Sequence, residues 1–229
     1  MSPACHTSSS LDFGDMAGVV RFDAVERERL ADLIDELGPD APTLLGSWTT
    51  RDLAAHLVLR ERDLLAAPGL VVPGAWARCA ERRRIALSRN DFSSLVASIR
   101  SGPPRGFFRI GWVRNLASLN EFFVHHEDVR RAIGLGPRAN SPEMDAALWR
   151  NVRRSARFLA RRVRRLGLEL EWAGTGARVT VKGGPLAVHI AGPPGELLLY
   201  LFGRQGAAQV DISGAAEAVE MLRGARLGM

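Results

Sequence analysis

Apolar residues recur three or four positions apart through the first two thirds of this chain, which is the spacing of one face of an α-helix. The pattern predicts a helix over 25–37 that ends at Gly38-Pro39. Further helices are predicted from the hydroxyl cap at Thr49-Thr50, from Trp76 with an interruption near Asn90-Asp91, over 113–133, and from Ser141-Pro142 through Leu166. Because their connections are short, these helices are expected to pack as a bundle.

The pattern changes after Gly167, where apolar and polar residues alternate in short runs separated by glycines. The predicted elements are strands at 168–172, 177–181, 186–190 and 208–212, a buried helix over 195–203 and a closing helix over 215–223. The predicted fold class is therefore α+β, with a helical bundle followed by a small α+β domain.

The hydrophobic pattern predicts three parts of the chain. Residues 1–20 are polar, rich in serine and without period, and are interpreted as a disordered extension. The bundle is assigned to 21–166 and the small C-terminal domain to 167–229. Both Met1 and Met16 are candidate start residues.

Composition adds a cellular context to this fold. A chain of 229 residues with 46% hydrophobic content can bury a real core. It has no apolar run long enough to cross a bilayer, and its first residues lack the order of a signal peptide. The two cysteines have no disulfide spacing. We therefore expect a cytoplasmic protein without a membrane partner.

The net charge of +6 is carried by arginine, since Lys182 is the only lysine. The basic face of the long predicted helix and its end comprises Arg150, Arg153, Arg154, Arg157, Arg161, Arg162, Arg164 and Arg165. We interpret it as a solvated face that reflects a GC-rich genome, because no recognition motif or set of stacking aromatics accompanies it. The alternative is that this face binds nucleic acid, but nucleic acid is not the expected partner.

A candidate metal site stands out among the polar residues of the predicted helices. Glu121 and His125 are four residues apart, so both project from one face of a helix about one turn apart. His56 lies on or beside the apolar face of another helix. Two imidazoles and one carboxylate leave open positions on a divalent metal, which is typical of catalytic sites.

Each of these residues also has a simpler interpretation. His56 is compatible with a core histidine satisfied by hydrogen bonds, and Glu121 with His125 is compatible with a surface pair. Asp128 and Asp52 are candidates to orient the imidazoles from behind, although Asp52 also suits the first turn of its helix. His126 points about 100° away from His125 and is expected at the rim or in solvent.

Two segments of the predicted helices form recognisable motifs, Trp48-Thr49-Thr50-Arg51-Asp52-Leu53-Ala54-Ala55-His56-Leu57 and Glu121-Phe122-Phe123-Val124-His125-His126-Glu127-Asp128-Val129. They resemble a known family, the DinB-like, mycothiol-dependent maleylpyruvate isomerase superfamily that is widespread in actinobacteria. The second segment contains the family pattern Glu-x-x-x-His-x-x-Asp. The stretch 195–214 is also similar to the sterol-carrier-like C-terminal domain of these proteins.

The resemblance implies a four-helix bundle that holds a divalent metal, usually zinc, through His56, Glu121 and His125. It also implies that the metal binds a low-molecular-weight thiol such as mycothiol, which then attacks a small electrophile. The leading hypothesis is a thiol-dependent transferase or isomerase. A metal-binding module without catalysis and a basic DNA-associated regulator are the alternatives.

One basic residue of the C-terminal domain is a candidate for substrate binding. An enzyme that acts on a carboxylated electrophile needs a cation beside the thiol, and Arg204 follows the buried helix predicted over 195–203. The alternative interpretation is that Arg204 neutralises the C-terminal end of that helix.

Overall fold

The computed structural model describes residues 20–63, 74–104 and 114–228, and it confirms the α+β class. Helices occupy the N-terminal part and a four-stranded sheet the C-terminal part. In chain order the elements are α1 (Phe22–Leu37), α2 (Thr50–Arg62), α3 (Ala75–Ser88), α4 (Phe92–Ser101), a π-helical turn (Arg114–Ser118), α5 (Leu119–Ala132), α6 (Pro142–Leu159), β1 (Leu166–Trp172), β2 (Ala177–Lys182), β3 (Leu186–Gly192), α7 (Pro194–Leu201), β4 (Asp211–Gly214) and α8 (Ala216–Arg223).

Two of the helices, α4 and α6, begin at residues whose side chains cap them. Asp91 accepts a hydrogen bond from the Ser94 backbone at 2.9 Å and opens α4, which confirms the predicted interruption of the third helical region. Ser141 caps α6 in the same way, with Pro142 in its first turn. The predicted helix over 25–37 is confirmed as α1, which starts three residues earlier.

The sheet has the strand order β2-β1-β3-β4. β1 and β3 are parallel, whereas the two outer pairs are antiparallel. At Gly184, an added Cβ would lie 2.4 Å from the Gly167 backbone nitrogen, so only glycine permits this approach of the chain before β3 to β1. The alternating pattern predicted the first three strands. The close contact between Gly184 and Gly167 brings β1 and β3 together.

One hydrophobic core extends from α5 and α6 into the sheet and α7, because residues such as Phe123, Leu148, Leu170 and Leu198 belong to the same buried cluster. The approach of α7 to α5 is close, since a Cβ on Gly195 would lie 2.6 Å from Cζ of Phe123. This packing brings the residues that follow α7 next to the polar residues of α5.

Several predicted boundaries differ from the structure. The long helix ends at Leu159 rather than Leu166, because Leu166 already begins β1 while its side chain remains in the same core. The last strand begins at Asp211 rather than at residue 208. The division into domains stays a prediction, and the extension before residue 20 lies outside the described residues. Within the described ranges, no helix has both the length and the apolar character needed to cross a membrane.

Candidate metal centre

The first candidate ligand, His56, comes from the middle of α2. The N-terminus of this helix is capped by Thr49 and Asp52, with the Thr49 backbone N–H donating to Asp52 Oδ2 at 3.2 Å. Leu53 and Leu57 on the same helix are fully buried. Because that face packs into the core, His56 is turned inwards and its side chain is only 13% exposed.

The other two candidate ligands come from α5, which is the most deeply buried of the described helices in the N-terminal part. All residues from Leu119 to Val129 are buried, including the polar ones. Buried polar groups need partners, so the polar side chains of α5 are expected to form networks. Glu121 and His125 lie one helical turn apart in this environment.

The three predicted ligands converge at one point. Glu121 Oε1 lies 3.3 Å from His56 Nε2 and 3.1 Å from His125 Nε2. One ligand atom from each residue lies within 4.8 Å of the others, and no other group of three potential ligands occurs within the described ranges. The imidazole rings are 5.2 Å apart and nearly perpendicular. The structure thus brings together His56, Glu121 and His125, the three residues that were predicted to share a metal.

A chain of polar contacts continues behind His125. Its Nδ1 donates to Asp128 Oδ2 at 2.9 Å. Arg204 then donates to both oxygens of Asp128, from Nε at 2.8 Å and from a terminal nitrogen at 2.6 Å. The other terminal nitrogen of Arg204 donates to the carbonyl of Phe202, which ends α7. The C-terminal part therefore reaches the site through Asp128.

A cation adjoins Glu121 as well. Arg60 Nε lies 3.6 Å from Glu121 Oε1, and a terminal nitrogen of Arg60 donates to the carbonyl of Ala117. Burial raises the pKa of the Glu121 carboxyl, but the charge of Arg60 and the bonds from His125 and His56 outweigh it and hold the pKa well below its usual range. Glu121 is therefore an ionised carboxylate in a largely buried site.

The two histidines differ in their protonation equilibria. Burial lowers the pKa of His125, but its bonds to Asp128 and Glu121 prevail and raise the pKa above the usual value. Burial also lowers the pKa of His56, and there the bond to Glu121 offsets it only in part, so the pKa stays below the usual value. His56 is thus the more readily neutral imidazole, as a metal ligand must be.

The arrangement fits a divalent metal. Ligand atoms about 2.0–2.1 Å from a tetrahedral zinc ion lie roughly 3.3 Å from one another. The distances from Glu121 to the two histidines, 3.3 and 3.1 Å, have this size. Because Asp128 accepts from Nδ1 of His125, Nε2 is the nitrogen directed at the site, and it would offer its lone pair to an ion that displaces its proton. His56, Glu121 and His125 would hold the ion.

Within the described ranges, Asp52 makes no hydrogen bond to His56 and binds Arg84 and Thr49 instead. It accepts from Arg84 at 2.5 Å, and Arg84 is also bonded to Glu81 at 2.7 and 2.9 Å. The Arg84 guanidinium lies 4.5 Å from the centre of the Trp48 ring, whose own centre is 5.4 Å from that of His56. The role of Asp52 toward His56 stays a prediction, and the structure gives it an indirect route.

The expectation for His126 was wrong. The side chain is buried, and Nδ1 bonds to Glu26 of α1 at 3.2 Å. Arg138 donates to the same carboxylate, so Glu26 serves both. His126 does turn away from His125, but the surface of α5 to which it turns is covered by α1 rather than by solvent.

Sequence reasoning missed three residues around the site. Arg60 stands one helical turn after His56, so its i+4 spacing placed it on the same face and was a usable signal. Trp48 directly precedes the cap of α2. Arg84 had no signal, because α3 carries three consecutive arginines and only tertiary packing selects one of them.

Comparison with known proteins identifies the fold. Two solved structures match, one of mycothiol-dependent maleylpyruvate isomerase and one of a histidine-to-alanine mutant of that enzyme. Their TM-scores are 0.50 and 0.52, each at 16% identity and covering 84% of this chain and 89% of the other. No protein-family model and no curated protein sequence matches. The chain thus shares the fold of these isomerases.

Proposed function

We propose that this protein is a cytoplasmic, metal-dependent thiol transferase or isomerase of the DinB-like type, with zinc held by His56, Glu121 and His125. The observation that supports this proposal is the convergence of two imidazoles on one buried carboxylate. The shared fold with mycothiol-dependent maleylpyruvate isomerase makes mycothiol the first thiol to test.

The ligand set suits thiol chemistry. Three protein ligands leave a fourth position of a tetrahedral ion open, and a divalent metal there supplies Lewis acidity that lowers the pKa of a thiol. Glu121 contributes a negative charge to the site, and Arg60 beside it contributes a positive one. Because these two charges offset each other, the positive charge of a bound divalent ion would favour an anionic sulfur over a neutral one.

The nucleophile is expected to come from outside the chain. In the described ranges the free cysteine is Cys79 on α3, and it does not belong to the group of potential ligands. A small thiol that enters the open position would supply the missing sulfur. Its attack on a small electrophile would form a carbon–sulfur bond. Cleavage of that bond, with the thiol expelled after rotation of the adduct, would give isomerisation, whereas loss of a leaving group from the electrophile would give S-transfer.

Arg204 has two roles in this proposal. Its bonds to Asp128 make it a positioning residue for His125. Its side chain is 17% exposed, and a contact with a substrate carboxylate stays a prediction.

The proposal is tested by thiol dependence. Protein purified without an affinity tag is loaded with zinc and assayed on maleylpyruvate with mycothiol, with an equal concentration of β-mercaptoethanol, and without thiol. We expect turnover with mycothiol only. Cobalt-loaded protein provides a second measurement, since a thiol that binds the metal produces a sulfur-to-cobalt charge-transfer band.

The outcomes separate the alternatives. A charge-transfer band without turnover would favour a metal-binding module or a different electrophile. Zinc-loaded protein that neither binds nor uses a thiol would contradict the proposed activity. A DNA-associated regulator would instead bind duplex DNA with steep salt dependence through the exposed arginines of α6.

A further inference from the structure

The two candidate histidine ligands are supported unequally. Nδ1 of His125 is bonded to Asp128, which is the usual arrangement for an imidazole that binds a metal through its other nitrogen. Nδ1 of His56 is buried and has no hydrogen-bond partner within the described ranges. No hydrogen bond from Nδ1 within the described part of the chain therefore orients the His56 ring, and apart from Glu121 at Nε2 the ring is in contact with the aromatic rings of His125 and Trp48.

Trp48 supplies such a contact. Its ring centre lies 5.4 Å from that of His56 with an angle of 52° between the planes, which is a favourable distance for two aromatic rings. The side chain of Trp48 is half-buried and stands two residues before α2 begins. Its position is therefore coupled to the cap of the same helix that carries His56.

Trp48 is itself held in place by a buried cation. The Arg84 guanidinium lies 4.5 Å from the Trp48 ring centre, within the range of a cation–π interaction. Glu81 binds Arg84 through two hydrogen bonds and Asp52 through a third. With three fixed donors, Arg84 has little freedom to move away from the indole.

We propose that Trp48, held by Arg84, is the positioning residue for His56, which directs Nε2 of His56 towards Glu121 and the metal position. In this arrangement aromatic packing orients the His56 ring, whereas a hydrogen-bonded carboxylate orients the His125 ring. Asp52 acts on His56 indirectly, because it fixes Arg84. The inference rests on the proposed role of His56 as a metal ligand.

The test compares metal binding in Trp48→Leu, Trp48→Phe and the control Trp76→Leu, whose indole on α3 is 54% exposed. Zinc affinity is measured by competition with a chromophoric chelator, and the ligand field by the visible spectrum of the cobalt-loaded protein. We expect Trp48→Leu to lose about 10- to 100-fold in affinity, as is typical when support of a metal ligand is removed. Trp48→Phe should recover most of it, and Trp76→Leu should match wild type.

A second comparison separates positioning from a general structural effect. In a His56→Ala background, adding Trp48→Leu should cause no further loss of zinc affinity, because the ring that Trp48 positions is gone. If Trp48→Leu does not fold, Arg84→Met takes its place, with an expected loss of about two- to fivefold from the missing cation–π contact.

Two results would overturn the inference: a folded Trp48→Leu with wild-type affinity and cobalt spectrum, or an equal further loss in the His56→Ala background. Failure of the proposed function has a different signature. There the wild-type protein itself would bind no zinc, whatever residue stands at position 48.

Discussion

The α5 side and the α2 side of the candidate metal site hold their histidines by different means. On α5, His125 is bonded to a fully buried carboxylate, Asp128, which also accepts two hydrogen bonds from Arg204. On α2, His56 contacts the indole of Trp48 and has no hydrogen bond from Nδ1 within the described ranges. The two sides meet at the single oxygen Oε1 of Glu121.

The difference indicates how the site is built. A charge-assisted hydrogen bond fixes both the orientation and the tautomer of an imidazole, whereas ring packing fixes the orientation alone. The α5 side is therefore preorganised by the C-terminal part of the chain. The α2 side depends on the packing of α3 behind Trp48, so substitutions on the two sides should differ in size and in what they disturb.

The largest effect on the α5 side is expected from His125→Ala, which removes a ligand rather than its support. Zinc affinity should fall by more than about 100-fold, beyond the loss typical for a supporting residue. His126→Ala is the matched control. It removes a partner of Glu26 and should lower the free energy of unfolding by about 1–3 kcal/mol with nearly unchanged affinity. Chelator competition and thermal melts measure the two quantities, and equal loss of zinc in both variants would contradict the assigned helix face.

A smaller effect is expected from Asp128→Asn. The amide oxygen can still accept from His125, but the negative charge that both His125 and Arg204 require is lost. We expect a loss of about 10-fold in zinc affinity. Glu127→Gln is the control, because it changes a neighbouring buried carboxylate that binds arginines instead. Similar zinc affinities in the two variants would show that the α5 side does not depend on Asp128.

The smallest of these effects on metal binding is expected from Arg204→Ala. His125 and Asp128 keep their mutual bond, so zinc should be retained with an affinity within about 10-fold of wild type. The specificity constant kcat/KM for a carboxylated electrophile should fall further than the affinity does. Arg204→Lys, which keeps the charge but loses the planar fork, should recover only part of the rate. A loss of zinc affinity as severe as in His125→Ala would contradict the assignment of Arg204 as a residue that only positions His125.

Much of the fold could be predicted from local patterns. Helical spacing and caps indicated α1 to α6, and the change to alternation after Gly167 indicated the strands. The i, i+4 spacing also placed Glu121 and His125 on one face. These features depend on neighbours in sequence, which is why a single sequence contains them.

The remaining features depend on residues distant in sequence. His126 is buried by Glu26, 100 residues away, and Arg204 reaches Asp128 across 76 residues. Helical spacing continued to Leu166 because the core continues there, although the helix ends at Leu159. Tertiary packing decides such contacts, and a periodic pattern reports only that a side chain is buried.

The most direct test of the central claim is the metal content of tag-free protein after reconstitution with zinc and removal of excess ion. The account predicts one equivalent of zinc per chain in wild type and a large loss in both His56→Ala and Glu121→Gln. The Glu127→Gln control should keep its zinc. Wild-type protein without bound zinc, or full occupancy in Glu121→Gln, would contradict the assignment of this site as a metal centre.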